Sequence, residues 1–469
     1  MTHSLPERLE RIVFRHRPLV IGIFIAITLA MAWSATQLKI DAGFAKLLPL
    51  EHEYMKNFVK YRDQFGGANR ILIALMSQRG DIFTPEFFDA LKAVTDEVFF
   101  IPGVDRSRVT SLFTPNVRFT EVVVGGIAGG NVVPADFKPT RESLEQVREN
   151  ILKAGIVGRL VSNDFTGAII SAELLEFNPN TGERLDYVQV AHELEQKIRK
   201  RFSGTDDGAG FDVHIIGFAK VIGDITDGSG RVVFFFAIAL LVTAALVLLY
   251  TASVLVTLIL VTCSLMAVVW QLGLLPILGF GLDPMSILVP FLVFAIGVSH
   301  GVQMVSAVRA EIFLGADAEN AARASFRRLL LPGTIALASD TIGFITILLI
   351  DIGIIREMAI TASLGVGVII FTNLILLPVV ISYDQGLVAL REALHHRAQA
   401  MARFWKLLSA VARRRPAMWV LLAATGFLVL GLWKGTDVKI GDLHQGVPEL
   451  RPDSRYNRDT AAITERFSI

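Results

Sequence analysis

Cysteine is almost missing from this chain: Cys263 is the only one among 469 residues. A disulfide within the chain is therefore excluded, and a thiolate-built metal centre lacks its ligands. Cys263 lies inside an apolar run and reads as a small buried hydrophobe. Charge is scarce too. Asp, Glu, Lys and Arg make up 19% of residues, against about 25% in an ordinary soluble domain. No basic stripe interleaved with aromatics offers a nucleic-acid footprint. The phosphate-loop pattern G-x-x-x-x-G-K-[ST] is absent, as are H-E-x-x-H and G-x-S-x-G. Gly365-Val366-Gly367 falls within an apolar helix, not between a strand and a helix, so no nucleotide fold is expected. His214 and Asp212 alternate on one strand without further ligands, and His395-His396 reads as a solvated pair. No enzyme activity, cofactor, metal or nucleic-acid partner is expected.

Apolar length is what the chain has in abundance. Hydrophobic residues reach 52% and the mean hydropathy is +0.53. Val232 to Leu282 runs for 51 residues without Asp, Glu, Lys or Arg, and Met358 to Tyr383 adds 26 more. As helix the first run is about 76 Å long, enough to cross a roughly 30 Å hydrocarbon layer twice. Seven spans are expected. The first, 18–38, ends in small residues that imitate a signal-peptide cleavage site, yet its length and the spans that follow favour an uncleaved anchor. Five more cluster within 230–383, at roughly 232–250, 254–278, 285–308, 329–350 and 357–383. The seventh is 416–433. Arginines before residue 18, in the 309–328 loop and in the basic linker 384–415 place these three stretches on the cytoplasmic side. Residues 1–17 are then a cytoplasmic N-terminus, and 39–229 lie outside. The 309–328 loop and the linker read as interfacial amphipathic segments.

Residues 39–229 alternate strand and helix patterns. Strands are expected at Arg70–Met76, Val104–Phe113, Gly167–Leu175 and Phe211–Gly217, and helices at Pro85–Phe99, Thr140–Ala154 and Tyr187–Phe202. Gly125–Asp136 is glycine-rich without periodicity and reads as a loop. Two strand–helix–strand units suggest a ferredoxin-like, split βαβ arrangement. The expected fold class is a polytopic α-helical membrane protein with an inserted extracytoplasmic α+β domain of ferredoxin-like βαβ subdomains.

The opening of the chain is echoed near its end. Arg17-Pro18 and Leu38-Lys39-Ile40 recur as Arg415-Pro416 and Val438-Lys439-Ile440, and Tyr54 and Phe65 recur as Tyr456 and Phe467. Residues 434–469 therefore look like the start of a second domain of the same kind, truncated here. The chain reads as one half of a two-repeat protein or one product of a split gene, and 442–469 is expected to be poorly ordered without its partner strands.

Polar residues within spans face bundle interiors, partners or pathways. His300 lies about 12 Å from the cytoplasmic end of span four, and Asp340 about 15 Å from the same side in span five. Asn373 in span six shares their depth. Gly297, Ser299, Gln303, Ser339 and Gly343 are the small or polar neighbours that let helices approach or guide water. Histidine changes charge near neutral pH, so a His300–Asp340 pair with Asn373 beside it suits taking up and releasing a proton. A structural hydrogen bond between helices is the second reading of these three residues, and contact of His300 and Asp340 with a lipid headgroup or substrate a third. Asp283-Pro284 reads as a cap at the outer start of span four.

The layout resembles the amino-terminal half of an RND-superfamily exporter of the hydrophobe-exporter or MMPL-like kind. The residues that carry the resemblance are Phe294-Ala295-Ile296-Gly297-Val298-Ser299-His300 and Ala338-Ser339-Asp340-Thr341 with Gly343-Phe344. The five-span cluster is also similar to a sterol-sensing domain. The resemblance implies proton-driven export of a hydrophobic or lipid-like substrate from the bacterial inner membrane, with 39–229 as a periplasmic porter domain. It also implies a second half of the same transporter as partner, with a homo-oligomer or a periplasmic protein as further possibilities. Many relatives end the span-four motif in an aspartate, often Asp-Tyr. Here the corresponding pair is Ser299-His300, and Asp340 supplies a carboxylate one helix over. The alternative function is a membrane-embedded lipid-sensing or envelope-assembly protein that uses the cluster without active transport.

Overall fold

The computed structural model describes residues 5–39, 46, 49, 51–65, 69–175, 177, 182, 185–204, 210–283, 285–386, 402–438, 446–447 and 450–468, with side chains at all of these but 62–65 and 229–230. Along the chain come α1 (Leu5–Arg15), α2 (Arg17–Ala35), α3 (Glu53–Phe65), β1 (Arg70–Ser77), α4 (Pro85–Phe99), β2 (Arg118–Val123), β3 (Gly126–Asn131), α5 (Arg141–Ala154), β4 (Gly167–Glu173), α6 (Tyr187–Glu193), α7 (Lys200–Phe202) and β5 (Phe211–Gly217). Then follow α8 (Phe218–Thr251), α9 (Val254–Ile277), α10 (Val289–Phe313), α11 (Ala318–Thr346), α12 (Gly353–Phe371), α13 (Leu377–Ile381), α14 (Arg414–Gly435) and α15 (Arg455–Arg466). Two compact units form: Met1–Pro49 with Arg231–Gly441, and Leu50–Gly230 with Asp442–Ile469.

Seven helices among the described residues are long and apolar enough to cross a membrane: α2, α8, α9, Ser286–Phe313, Ala318–Leu349, Gly353–Ile381 and α14. In the first unit α9 and α12 are the most enclosed, whereas α14 buries no residue. Close contact between α2 and α9 depends on Gly273, where an added Cβ would stand 2.3 Å from the Met31 carbonyl oxygen. Phe24 stacks on Trp270 at 5.4 Å there, and the indole N–H donates to Thr28 Oγ1 at 2.9 Å. Asp283 caps the turn before α10, accepting from the Met285 and Ser286 N–H groups at 2.8 and 2.9 Å and from the Ser286 hydroxyl. Its neighbour Pro284 lies outside the described residues, as do His395-His396 and the rest of 387–401 in the 384–415 linker. The 309–328 stretch is not a separate interfacial segment. α10 runs to Phe313 and α11 starts at Ala318, capped by Asp317, with Ala321, Ala322, Ser325 and Phe326 buried.

The second unit is built on a three-stranded antiparallel sheet of order β4-β1-β5. Strand side chains alternate between faces, and here both faces are covered. Ile71, Ile73 and Leu75 join α4, α5 and α6 in the larger core, while Ala74 and Met76 join Ile169, Ile463 and Phe467 on the other side. α4 starts where Thr84 accepts from the Phe87 N–H with Pro85 in the first turn, and it buries Phe87, Phe88, Leu91, Val94 and Val98. α5 is framed by the reciprocal Thr140–Ser143 caps and by Gly155, whose φ of 62° ends the helix in the left-handed region. A π-helical turn, Leu194–Arg199, links α6 to α7.

Three further expectations differ from what is found. Val104–Phe113 is not a strand: Asp105 accepts from the Ser107 N–H at 3.0 Å and its hydroxyl at 2.6 Å, forming a short 3-10 turn. Two isolated bridges, Val104–Leu174 and Thr110–Ser171, pair this stretch with β4 and the residue that follows it. Gly125–Asp136 is not a loop throughout, because β2 and β3 form a hairpin turning at Val124 and Gly125, the latter at a φ of 100°. Its two faces are both largely open, so no apolar alternation marks it in the sequence. Finally, the 442–469 stretch is ordered over much of its length. α15 packs on β5 and the sheet, capped by Ser454.

Candidate functional site

The polar residues of the membrane-type unit separate into an inner and an outer set. Asn373 is fully buried in the π-helical turn Thr372–Leu376, between α12 and α13. Its Nδ2 donates to Ser264 Oγ of α9 at 3.3 Å and to the Gly297 carbonyl of α10, and its Oδ1 accepts from Thr372 Oγ1 at 3.1 Å. Gly297 and Gly301 open the space for this amide: an added Cβ would lie 3.5 and 3.4 Å from its nitrogen. Asn373 and Gly297 are thus brought together, with Ser264, into an interhelical clamp.

His300 is half-buried, and its Nδ1 lies 3.1 Å from the Ile296 carbonyl oxygen one turn back, so the Nδ1–H is held by its own helix. The other nitrogen, Nε2, is left for other chemistry. Asp340, Ser339 and Gly343 on α11 are exposed, and so are Ser299 and Gln303 on α10. No hydrogen bond or ion pair among the described residues joins His300 to Asp340 or either one to Asn373. Ser299 and Gln303 form a polar strip on α10, and Ser339 and Asp340 one on α11, each turned away from the packed interior of the unit.

Sequence reading missed three buried groups. Gln271 of α9 is fully buried, and neither its Oε1 nor its Nε2 has a hydrogen-bond partner among the described residues. It stands against Gly365, whose added Cβ would meet the Gln271 side chain at 3.1 Å. A lone amide in a 51-residue uncharged run was the available signal. Glu10 is buried against Arg323 and Arg327 of α11, at 3.1 and 3.2 Å. The third is Asp459.

Asp459 is the hub of the second unit. Its carboxylate takes Arg199 Nη2 at 2.6 Å, His214 Nδ1 at 2.9 Å, the Ile215 N–H at 3.1 Å and Arg455 Nε at 3.2 Å. Arg199 also reaches Glu195, which accepts from the buried Lys220 Nζ at 2.8 Å, and Lys220 pairs with Asp224. Tyr456 Oη accepts from the Gly217 N–H at 3.1 Å. The chain of charges runs from the base of α8 through the π-helical turn to β5 and α15. Burial pushes the Asp459 carboxyl upward, but hydrogen bonds from His214 and Arg199, the Arg199 charge and the Ile215 N–H outweigh it and hold the group below the usual carboxylate range. His214 thus serves this carboxylate, and Asp212 accepts from Gln78 at 2.9 Å. No group of three or more His, Cys, Asp or Glu among the described residues is placed to hold a metal ion.

Residues 159–419, more than half of the chain, match the sequence model of the MMPL family. A protein of Methanocaldococcus jannaschii described as a membrane protein is 21% identical over 377 residues, which cover 78% of this chain and 90% of that protein.

Proposed function

Because the chain belongs to the MMPL family, whose members are membrane transporters and not enzymes, we propose that it drives a hydrophobic or lipid-like substrate outward using the proton gradient. One observation carries this reading: a carboxyl group, Asp340, sits exposed on an apolar helix, beside Ser339, while the neighbouring α10 exposes Ser299 and Gln303. An ionisable side chain in hydrocarbon is costly and needs water, a proton or a partner. The free Nε2 of His300 supplies a second site for a proton, and Asn373 holds α10 in place behind it. A second bundle, from the other half of the transporter or from another copy of the chain, would cover these strips and close a water-accessible relay between the two bundles.

In this reading the N-terminus is cytoplasmic, the host is a bacterial inner membrane, 230–383 forms the five-helix cluster, and 39–229 is the porter domain. The sheet supports a split βαβ build, since the bridged 104–110 segment, β4, β1 and β5 follow the order of two interleaved strand–helix–strand units. Substrate would enter from the outer leaflet into that domain. The test is transport in proteoliposomes under an imposed pH gradient, comparing the parent with His300→Ala and Asp340→Asn. Gradient-dependent flux should be lost in Asp340→Asn and reduced in His300→Ala. Flux that survives unchanged in both overturns the relay, and substrate binding without any gradient-driven flux assigns the cluster to lipid sensing.

A further inference from the structure

The N-terminal helix α1 has three differently built sides. At about 100° per residue, Leu5, Leu9 and Ile12 fall within about 60° of arc, and they are 68%, 38% and 61% exposed. Arg8, Arg11 and Arg15, all exposed, occupy the neighbouring arc. On the far side Glu10 and Phe14 are buried. Glu10 pairs with Arg323 and Arg327, Phe14 packs edge-on against Phe326 at 5.8 Å, and the Arg323 guanidinium covers the Phe14 ring. This grip on α11 fixes the roll of α1.

The level of α1 is fixed as well. Only His16 separates it from the apolar helix α2. Arg17, at the start of α2, pairs with Glu319 at 2.9 Å and lies over the Tyr383 ring. Glu10, seven residues earlier, meets Arg323 and Arg327, and Arg323 also pairs with Glu319 at 2.9 Å, so one ion network ties both residues to the first turns of α11. α1 is therefore held against the first turns of α11 and does not project away from the start of α2. Its apolar strip thus stands beside the arginine-flanked start of α2, the end at which an apolar span meets a bilayer surface.

We infer that α1 is a built-in lipid-binding element, with Leu5, Leu9 and Ile12 sunk to the acyl boundary and the arginine row on anionic phospholipid headgroups. The chemistry is that of an interfacial amphipathic helix, with apolar area on one side and guanidinium groups matching phosphate on the next. The inference stands apart from proton coupling, since none of these residues belongs to either polar strip.

Full-length protein carrying Cys263→Ser and a single spin label is placed in nanodiscs of phosphatidylcholine with one third phosphatidylglycerol. A label at Ile12→Cys should be more accessible to oxygen than to a water-soluble nickel chelate, and one at Arg15→Cys, in the exposed arginine row, the reverse. In parallel, native mass spectrometry of Arg8→Gln, Arg11→Gln and Arg15→Gln should show retention of phosphatidylglycerol relative to phosphatidylcholine falling about fivefold per arginine removed. A label at position 12 that contacts the aqueous chelate, or that is shielded from both agents as under a protein partner, overturns the inference. So does an unchanged lipid preference in the three variants.

Discussion

At the scale of single residues, what decides the interior of the membrane-type unit is room for one more carbon atom. At Gly365 an added Cβ would stand 2.4 Å from Val293 Cγ2 and press on Gln271, whereas at Gly343 nothing lies within 4 Å. Valine is stiff about χ1 and cannot swing aside cheaply. Gly365→Ala should therefore cost about 1–3 kcal/mol by overpacking, seen as a lower thermal midpoint in detergent, while Gly343→Ala should leave the midpoint unmoved. An equal response of both would show that α12 can shift away from α10. The sequence marks Gly343 and passes over Gly365, because a glycine within an apolar run carries no sign of what stands opposite. The same holds for Asn373. Its depth was readable from helical rise, but its partners Ser264 and Gly297 depend on which helices touch.

Among the elements, α15 tells most about how charge organises the second unit. Removing one member of a buried, hydrogen-bonded ion pair leaves the other uncompensated, which costs about 3–5 kcal/mol. Asp459→Ala should release α15, exposing Ile463 and Phe467, and the loss is read as new amide exchange over 455–466. The pH dependence follows from the direction of the shift. A carboxyl held below its unfolded value of about 3.9 adds stability above that pH and loses it as pH falls through the folded value. The parent should keep α15 docked at neutral pH and release it only below about pH 4, while Asp459→Ala shows no such step. Helices such as α4 and α5 were legible to within a residue because Thr84, Pro85, Thr140 and Gly155 are local stop and start signals. The 104–113 turn and the β2–β3 hairpin were not. In the first, a side chain competes with strand pairing; in the second, glycine replaces any apolar alternation.

For the whole molecule, span number was readable because apolar length is a direct physical requirement of crossing a bilayer. Sidedness rests on arginine distribution alone and invites a direct check. In the Cys263→Ser background, a cysteine at Val122, which is 88% exposed on the hairpin, should react with an impermeant maleimide on intact cells. One at Leu314, 78% exposed in the turn between α10 and α11, should react only after permeabilisation. The opposite pattern would invert the orientation.

What the sequence could not reveal is the seat of the closing segment. Tyr456, Asp459, Ile463 and Phe467 keep a helical spacing, yet nothing in that spacing says which sheet receives them. In the folded chain they complete a sheet whose strands all precede the second span. The helix is thus a detachable cover. Offered as a separate peptide spanning 446–468, it would carry the side chains its seat uses, and a chain cut ahead of residue 442 would be open to repair from outside, much as a two-piece enzyme recovers when its fragments are mixed.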